Sequence, residues 1–232
     1  NVEKQCATRF PGALIKQGYG LTETSPVTHI NPNEEHLIVS GSIGMLVPFL
    51  QCKIVDDDGK IVPAGKPGEL CFKGPNVMKG YYKKPEATKH CVRDGWFHTG
   101  DIGYVDENGY YFIVDRIKEL IKVKGFQVAP AELEAMLLEH PKIADCAVTA
   151  KPDHESGEVP KAFVVLKPSF KASPTMRKDI EKFISDRVAK YKRIKDLAFV
   201  PSVPKSASGK ILRRLLRAEE KRLFKIANQA KL

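Results

Sequence analysis

No stretch of this 232-residue chain stays apolar for the roughly 20 residues a membrane-spanning helix needs, and no signal-like segment opens it, so a soluble intracellular protein is expected. Cysteine is scarce and scattered. The five residues, Cys6, Cys52, Cys71, Cys91 and Cys146, are odd in number and form no Cys-x-x-Cys pair, which excludes a disulfide framework, offers no metal-ligand spacing and points to a reducing compartment. Internal repeats and low-complexity tracts are absent. A phosphate-binding loop of the G-x-x-x-x-G-K-[ST] type is lacking too. The nearest stretch, PKSASGKILRR from Pro204 to Arg214, has Pro204 where the first glycine belongs and Ile211 where a Ser or Thr is required. The opening NVEKQCATRFPG carries neither an initiator Met nor a helix or strand boundary signal, so an N-terminal portion is expected to be missing. Acidic residues are few at the other end: residues 205–232 hold nine Lys and Arg against two Asp and Glu, while 1–118 are balanced at 14 of each. The net charge of +10 therefore belongs to the C-terminal half and suits a polyanionic partner. No aromatic-rich binding motif accompanies that basic tail, so nucleic acid is not expected as the partner.

Between about Gly44 and Val114 the pattern is that of β-structure. CKIVDDDGKIVP reads as two short strands about an Asp-Gly turn, GELCFKG as another strand, and DIGYVDENGYYFIVD as a hairpin whose Asn108-Gly109 turn supplies positive φ angles. A small barrel or curled antiparallel sheet follows. After Asp115 the period changes: Pro130 opens a helix with Leu133, Met136, Leu137 and His140 on one face. IADCAVTA and KAFVVLKP read as strands, and PTMRKDIEKFISDRVAK as a helix burying Ile180, Phe183, Ile184 and Val188. LAFVP is a last strand. A basic helix then carries the stripe Ile211, Leu212, Leu215 and Leu216, which is expected to dock on its own domain, with Arg213 and Arg214 solvating it. The fold class is α+β, with one part at 1–117 and a compact domain of common size at 118–232.

Three stretches carry candidate chemistry. QGYGLTET, Gln17 to Thr24, offers Gly18 and Gly20 for close backbone approach, Tyr19 to stack on a flat ring, Thr22 to bond a phosphate oxygen and Glu23 to hold Mg²⁺; an ordinary loop with a helix N-cap at Thr22 is the alternative. GWFHTGDIG places Asp101 where a carboxylate can accept from two ribose hydroxyls, or where a turn simply favours aspartate. VDRIKELIKVKGFQV sets Arg116, a planar multi-donor, before Lys118, Lys122, Lys124 and the flexible Gly125, or else is a solvated basic connector.

Taken in order, QGYGLTET, GELCFKGPNVMKGYYKKPEAT, DGWFHTGDIGYVDENGYYFIVDRIKELIKVKGFQVAPAELE and PKSASGKILRR resemble the adenylate-forming superfamily of acyl-CoA synthetases, 4-coumarate-CoA ligases and beetle luciferases. The resemblance covers nearly the whole chain. It implies that residues 1–117 are the C-terminal part of a large AMP-binding domain, ending in a small barrel-like β subdomain, and that 118–232 form a mobile C-terminal domain hinged at Lys118. It implies an enzyme that uses ATP, Mg²⁺ and coenzyme A to convert a carboxylic acid to an acyl-adenylate and then a thioester. The loop that would grip the β- and γ-phosphates is missing, so activity of this stretch alone is not expected. A luciferase-like monooxygenase, or an inactive nucleotide- or CoA-binding fragment, shares the scaffold.

Residue by residue, the resemblance puts Gly18, Tyr19, Gly20 and Thr22 along the nucleotide, Glu23 on Mg²⁺, Asp101 and Arg116 at the ribose, Gln127 near the nucleotide, and Lys124 and Gly125 beside the CoA tunnel. Lys210 becomes the adenylation lysine and Lys122 its counterpart in thioester formation. A cation at a small-residue loop tip suits the charge that gathers on equatorial phosphate oxygens during transfer. The final Ala230-Lys231-Leu232 resembles the C-terminal Ser-Lys-Leu signal, so an import receptor and a peroxisomal address, otherwise a cytoplasmic one, are expected.

Overall fold

The computed structural model describes residues 2–207 and 209–229; Ser208 in the Lys210 loop and the Ala230-Lys231-Leu232 ending lie outside the described residues. The chain divides into two compact units, Asn1–Ile117 and Lys118–Leu232.

The first unit opens with helix α1 (Val2–Arg9), in the stretch where no helix or strand boundary signal was read; Glu3 near its N-terminus and Arg9 at its end complement the helix dipole. Strands β1 (Gly18–Gly20), β2 (Val27–Ile30) and β3 (Met45–Leu46) form one antiparallel sheet. β4 (Gln51–Val55), β5 (Gly68–Lys73), helix α2 (Pro85–Cys91), β6 (Val92–Arg93), β7 (Trp96–Val105) and β8 (Tyr111–Arg116) follow. Their sheet runs β4-β5-β7-β6 with β8 also on β7, an open antiparallel sheet. Leu50, Leu70, Phe72 and Phe97 form its core, with Tyr19 and Tyr111 packed against them.

Two Asp-x-x-Gly turns shape this sheet. Asp106 accepts from the Asn108 and Tyr110 amides at 3.0 and 2.8 Å, and Gly109 takes φ +83°. Asn108 does not share the positive φ, so the turn is a longer aspartate-closed one rather than the two-residue form expected. Asp56 repeats the device with Asp58 and Lys60, but the strand expected after it shrinks to a single Val55–Ile61 bridge.

The second unit contains β9 (Ile121–Val123), β10 (Phe126–Val128), α3 (Pro130–Leu138), β11 (Ile143–Asp153), β12 (Gly157–Leu166), α4 (Pro174–Ser185), β13 (Asp196–Phe199) and α5 (Arg213–Gln229). The sheet order is β10-β9-β12-β11, with β13 parallel to β12. α3 starts with Pro130 at its first turn and buries Leu133 and Leu137; His140 is buried beyond its end rather than on its face. α4 starts at the Ser173 cap, whose hydroxyl accepts from Met176 N, and stops at Ser185, so Val188 reaches the core from the following loop. Ile121, Val128, Val148, Val164, Ile180 and Leu197 join those leucines in one core.

α5 docks against β11, but not chiefly through the apolar stripe. Ile211 forms a bridge with Lys205 before the helix starts, and Leu215 is about half exposed. The contacts are charged: Glu220, 4% exposed, takes Lys161 Nζ at 2.8 Å, and Arg213 pairs with the buried Glu134 of α3. Arg213 is therefore an internal tie rather than a solvated charge. The reason is distance in sequence: a partner 79 residues away leaves no local pattern.

Candidate active site

In the first unit, three of the expected nucleotide residues meet. Tyr19 on β1 donates its hydroxyl to Asp101 Oδ2 at 2.5 Å, and Arg116 Nε donates to Asp101 Oδ1 at 3.0 Å. The pairing of β7 with β8 sets Asp101 opposite Arg116, which is why the guanidinium reaches the carboxylate. Asp101 is buried and Arg116 is half exposed, so the arginine forms the outer wall. Each carboxylate oxygen keeps a second lone pair for a ligand hydroxyl. Burial and the neighbouring Asp101 carboxylate push the Tyr19 phenol well above its usual range, so it stays a donor.

Gly20 has a local reason to be glycine. A Cβ there would stand 1.9 Å from the Pro26 carbonyl oxygen, so the β1–β2 turn forbids any side chain, whatever binds nearby. Gly18 is less confined, with its nearest contact at 3.2 Å. Thr22 is exposed on a short 3₁₀ turn, Thr22–Thr24, and it is Thr24 whose hydroxyl takes the Leu21 amide at 3.0 Å, not Thr22 acting as a cap.

Glu23, on the same turn, receives the Tyr81 hydroxyl on Oε1 at 2.6 Å, and that bond pushes the Tyr81 phenol up to about 12. Among the described residues no partner holds Oε2. A half-buried carboxylate with one oxygen fixed and one available fits Mg²⁺, which takes one or two carboxylates and completes its shell with waters and substrate phosphates. Tyr81 escaped the sequence reading because its partner lies 58 residues upstream.

In the second unit, Lys124 and Gly125 form the two-residue turn of the β9–β10 hairpin, with φ +49° and +85°. Positive φ at both central residues is the type I′ signature, so the glycine is explained by the turn. The turn is tied to the β11–β12 connection by Lys124 N–H to the Ser156 carbonyl at 3.0 Å and Lys122 N–H to Glu158 at 3.0 Å. Lys122 and Gln127 are exposed cross-strand partners. Beside them lies a cavity of about 670 Å³ whose walls include Phe126, Tyr191, Lys124, Lys190 and Lys195. The Phe126 and Tyr191 rings stack at 4.6 Å, an aromatic and basic combination the sequence reading missed.

Lys210 is exposed at the exit of a tight turn: Ser206 N–H donates to the Lys210 carbonyl at 2.9 Å, and Lys210 N–H to Ser206 Oγ at 3.1 Å. Lys205 anchors the loop through Asp145 Oδ2 at 2.6 Å. Asp145 stands near the start of β11 and Asp153 ends it, so eight residues, roughly 26 Å of extended strand, separate the anchor of the Lys210 loop from the end that holds the Lys122 hairpin. The two lysines thus occupy opposite ends of this unit. Lys118 is exposed at its start, with its carbonyl accepting from Arg217 at 2.5 Å.

A model of the AMP-binding enzyme family matches residues 1–82, and a model of the AMP-binding enzyme C-terminal domain matches residues 132–210. The chain is 48% identical to 4-coumarate-CoA ligase 1 of Glycine max, over 94% of this chain and 75% of that protein. It belongs to the AMP-binding, adenylate-forming enzymes. Another member, the 4-coumarate-CoA ligase-like 9 protein of Oryza sativa subsp. japonica, is 50% identical over 91% of this chain but only 38% of its own length. Among family members of solved structure, the anthranilate-CoA ligase AuaEII in complex with anthranoyl-AMP superposes with a TM-score of 0.79 at 35% identity, over 89% of this chain and 40% of that one. The chain thus spans about two-fifths of the length of most curated members it matches.

Proposed function

We propose that this chain is the C-terminal part of an ATP-dependent carboxylic acid-CoA ligase, which joins the acid to AMP with release of pyrophosphate and then passes the acyl group to coenzyme A. The observation that carries the reading is the Tyr19–Asp101–Arg116 cluster, a buried carboxylate walled by a phenol and a guanidinium. In this reading Asp101 accepts from the ribose hydroxyls, and Arg116 swings outward as the nucleotide enters. Thr22 donates to an α-phosphate oxygen. Glu23 Oε2 would hold Mg²⁺, which supplies charge neutralisation at the phosphates when bound, while Tyr81 fixes the carboxylate's orientation.

Lys210 supplies the positive charge at the α-phosphate as the acid attacks. Its tight turn, anchored at Lys205, carries the ammonium without a bulky neighbour among the described residues of the loop. The separation of Lys210 and Lys122 along β11 supports a two-state use of the second unit, with Lys118 as the hinge: one end serves adenylation and the other thioester formation. The cavity between Lys124, Phe126 and Lys190 has the flat rings and cations that a coenzyme with an adenine and several phosphates needs. The remainder of the phosphate grip is assigned to sequence upstream of Asn1.

The test uses the full-length enzyme: pyrophosphate release and CoA-thioester formation are followed across hydroxycinnamic, other aromatic, fatty and short acids. Acid-dependent pyrophosphate release followed by thioester supports the ligase reading. Pyrophosphate release with no thioester from any acid would refute it.

A further inference from the structure

We propose that Glu69, Cys71 and His98 form a zinc-binding site on one face of the β5–β7 sheet, using a donor set that no cysteine spacing in the sequence announces. Glu69 and Cys71 stand at i and i+2 on β5, and His98 on β7 is paired directly opposite Cys71. Between the Cys71–His98 pair and the Glu69–Ile102 pair, β7 carries extra residues, a bulge that brings the Gly100 amide onto Glu69 Oε1 at 2.9 Å. The other carboxylate oxygen and the thiol converge on one nitrogen: His98 Nδ1 lies 2.7 Å from Glu69 Oε2 and 3.2 Å from Cys71 Sγ. All three donor atoms fall within 4.8 Å of one another.

The geometry is close to what the metal requires. Tetrahedral zinc, with Zn–S near 2.3 Å and Zn–N and Zn–O near 2.0 Å, would set the sulfur and nitrogen about 3.5 Å apart and the nitrogen and oxygen about 3.3 Å apart. To reach those values the sulfur–nitrogen contact opens by about 0.3 Å and the nitrogen–oxygen contact by about 0.6 Å. A mixed thiolate, imidazole and carboxylate set favours zinc over magnesium or calcium, which want oxygen alone. Cys71 is fully buried, whereas the Glu69 and His98 side chains retain 14% and 12% exposure, leaving one side for metal entry and for a water as fourth ligand.

Two cations oppose the ion. Arg93 lies 3.5 Å from Glu69 but is 55% exposed and can turn into solvent; Lys53, across from Cys71 on β4, holds its ammonium over the Trp96 ring at 4.7 Å. On binding, the Cys71 S–H bond breaks, its proton passes to solvent, and the sulfur electron pair forms the Zn–S bond; the proton with which His98 Nδ1 bonds Glu69 Oε2 in the metal-free chain moves to Nε2, so that the imidazole binds through its Nδ1 lone pair. The two anionic ligands then balance the divalent charge. The metal would clamp β5 to β7 three residues before Asp101.

The test takes the 232-residue chain after EDTA treatment and adds Co²⁺ as the probe. A thiolate-to-Co²⁺ charge-transfer band that saturates at one equivalent, is bleached by Zn²⁺ and releases one proton per ion is expected. Cys71→Ser should remove the band and weaken Zn²⁺ binding by about a hundredfold, and Cys91→Ser should leave both unchanged. No band in the wild-type chain, or a band that Cys71→Ser keeps and Cys91→Ser loses, overturns the site. Should Cys71→Ser fail to fold by circular dichroism, X-ray absorption of the zinc-loaded wild-type chain decides: one sulfur neighbour is expected, and none refutes it.

Discussion

Replacing Arg213 by alanine strips the guanidinium from a buried carboxylate and should cost the second unit far more than its neighbour Arg214 does. Glu134 and Arg213 side chains are 10% and 15% exposed, and the pair is bidentate, with Nε to Oε1 at 3.2 Å and a terminal nitrogen to Oε2 at 2.5 Å. Val148 N–H also donates to Oε1 at 2.8 Å, which ties α3 and β11 to the same carboxylate. Breaking one side of a buried pair costs about 3–5 kcal/mol because an uncompensated charge stays behind. The residual exposure puts the expected loss at the lower end, about 3 kcal/mol. Arg214 is exposed on the same helix, and its alanine variant should stay within about 0.5 kcal/mol of wild type.

The two units can be read separately in one experiment. Trp96, the single tryptophan, reports on the first unit, while α3, α4 and α5 dominate the helical circular dichroism from the second. For a urea slope of roughly 1.5 kcal/mol per M, Arg213→Ala should move the dichroism midpoint down by about 2 M and leave the Trp96 fluorescence midpoint in place. Equal shifts for Arg213→Ala and Arg214→Ala would refute the internal tie. So would a shift confined to Trp96.

Acid should weaken the first unit through His29. This residue is fully buried among the Tyr19, Phe72 and Tyr111 rings, and burial pushes its imidazole down to about 4. The unfolded chain takes up that proton below about 6.5 while the folded one resists until about 4, so stability is lost as pH falls through that window, by on the order of 3 kcal/mol. Trp96 urea midpoints at successive pH values measure it, and His29→Phe should flatten the slope; an equal slope in that variant would remove His29 as the cause. Gly20→Ala, whose Cβ would meet the Pro26 carbonyl at 1.9 Å, should cost several-fold more than Gly59→Ala, where the space is open and only the φ of +79° is strained; comparable thermal shifts would count against the turn argument. In the full-length enzyme, Tyr19→Phe should weaken nucleotide binding by about 1 kcal/mol through loss of one hydrogen bond, read by calorimetry with ATP, and unchanged affinity would detach Tyr19 from the site.

Local rules made the β7–β8 hairpin, Pro130 and the β11–β12 pair readable, because each is announced by a turn residue, a proline or a run of β-branched side chains within a few positions, whereas the β9–β10 hairpin was read only as a basic connector. The Tyr19, Asp101 and Arg116 candidates came from motif resemblance, and the folded chain places them in contact across separations of 82 and 15 residues. What stayed hidden was every tie between distant partners: Glu134 with Arg213, Tyr81 with Glu23, and Cys71 with His98. Periodicity reports which face of an element is apolar, not which charged group across the fold will meet it. Gly20 and Gly125 show the converse. Both stood in motifs, yet a carbonyl contact and a two-residue turn already account for them as glycines.

The central claim is that Lys210 delivers charge to adenylation alone, and the two half-reactions of the full-length enzyme test it. Acid-dependent exchange of labelled pyrophosphate into ATP and thioester formation from preformed acyl-adenylate plus CoA are measured for wild type, Lys210→Ala and Lys122→Ala. Lys210→Ala should slow the exchange by about a hundredfold or more, on the order of 3 kcal/mol, and leave thioester formation within a few-fold of normal, while Lys122→Ala shows the reverse. Equal slowing of both half-reactions by Lys210→Ala, or of neither, contradicts the assignment and leaves Lys210 a solvated charge at the end of a well-anchored turn.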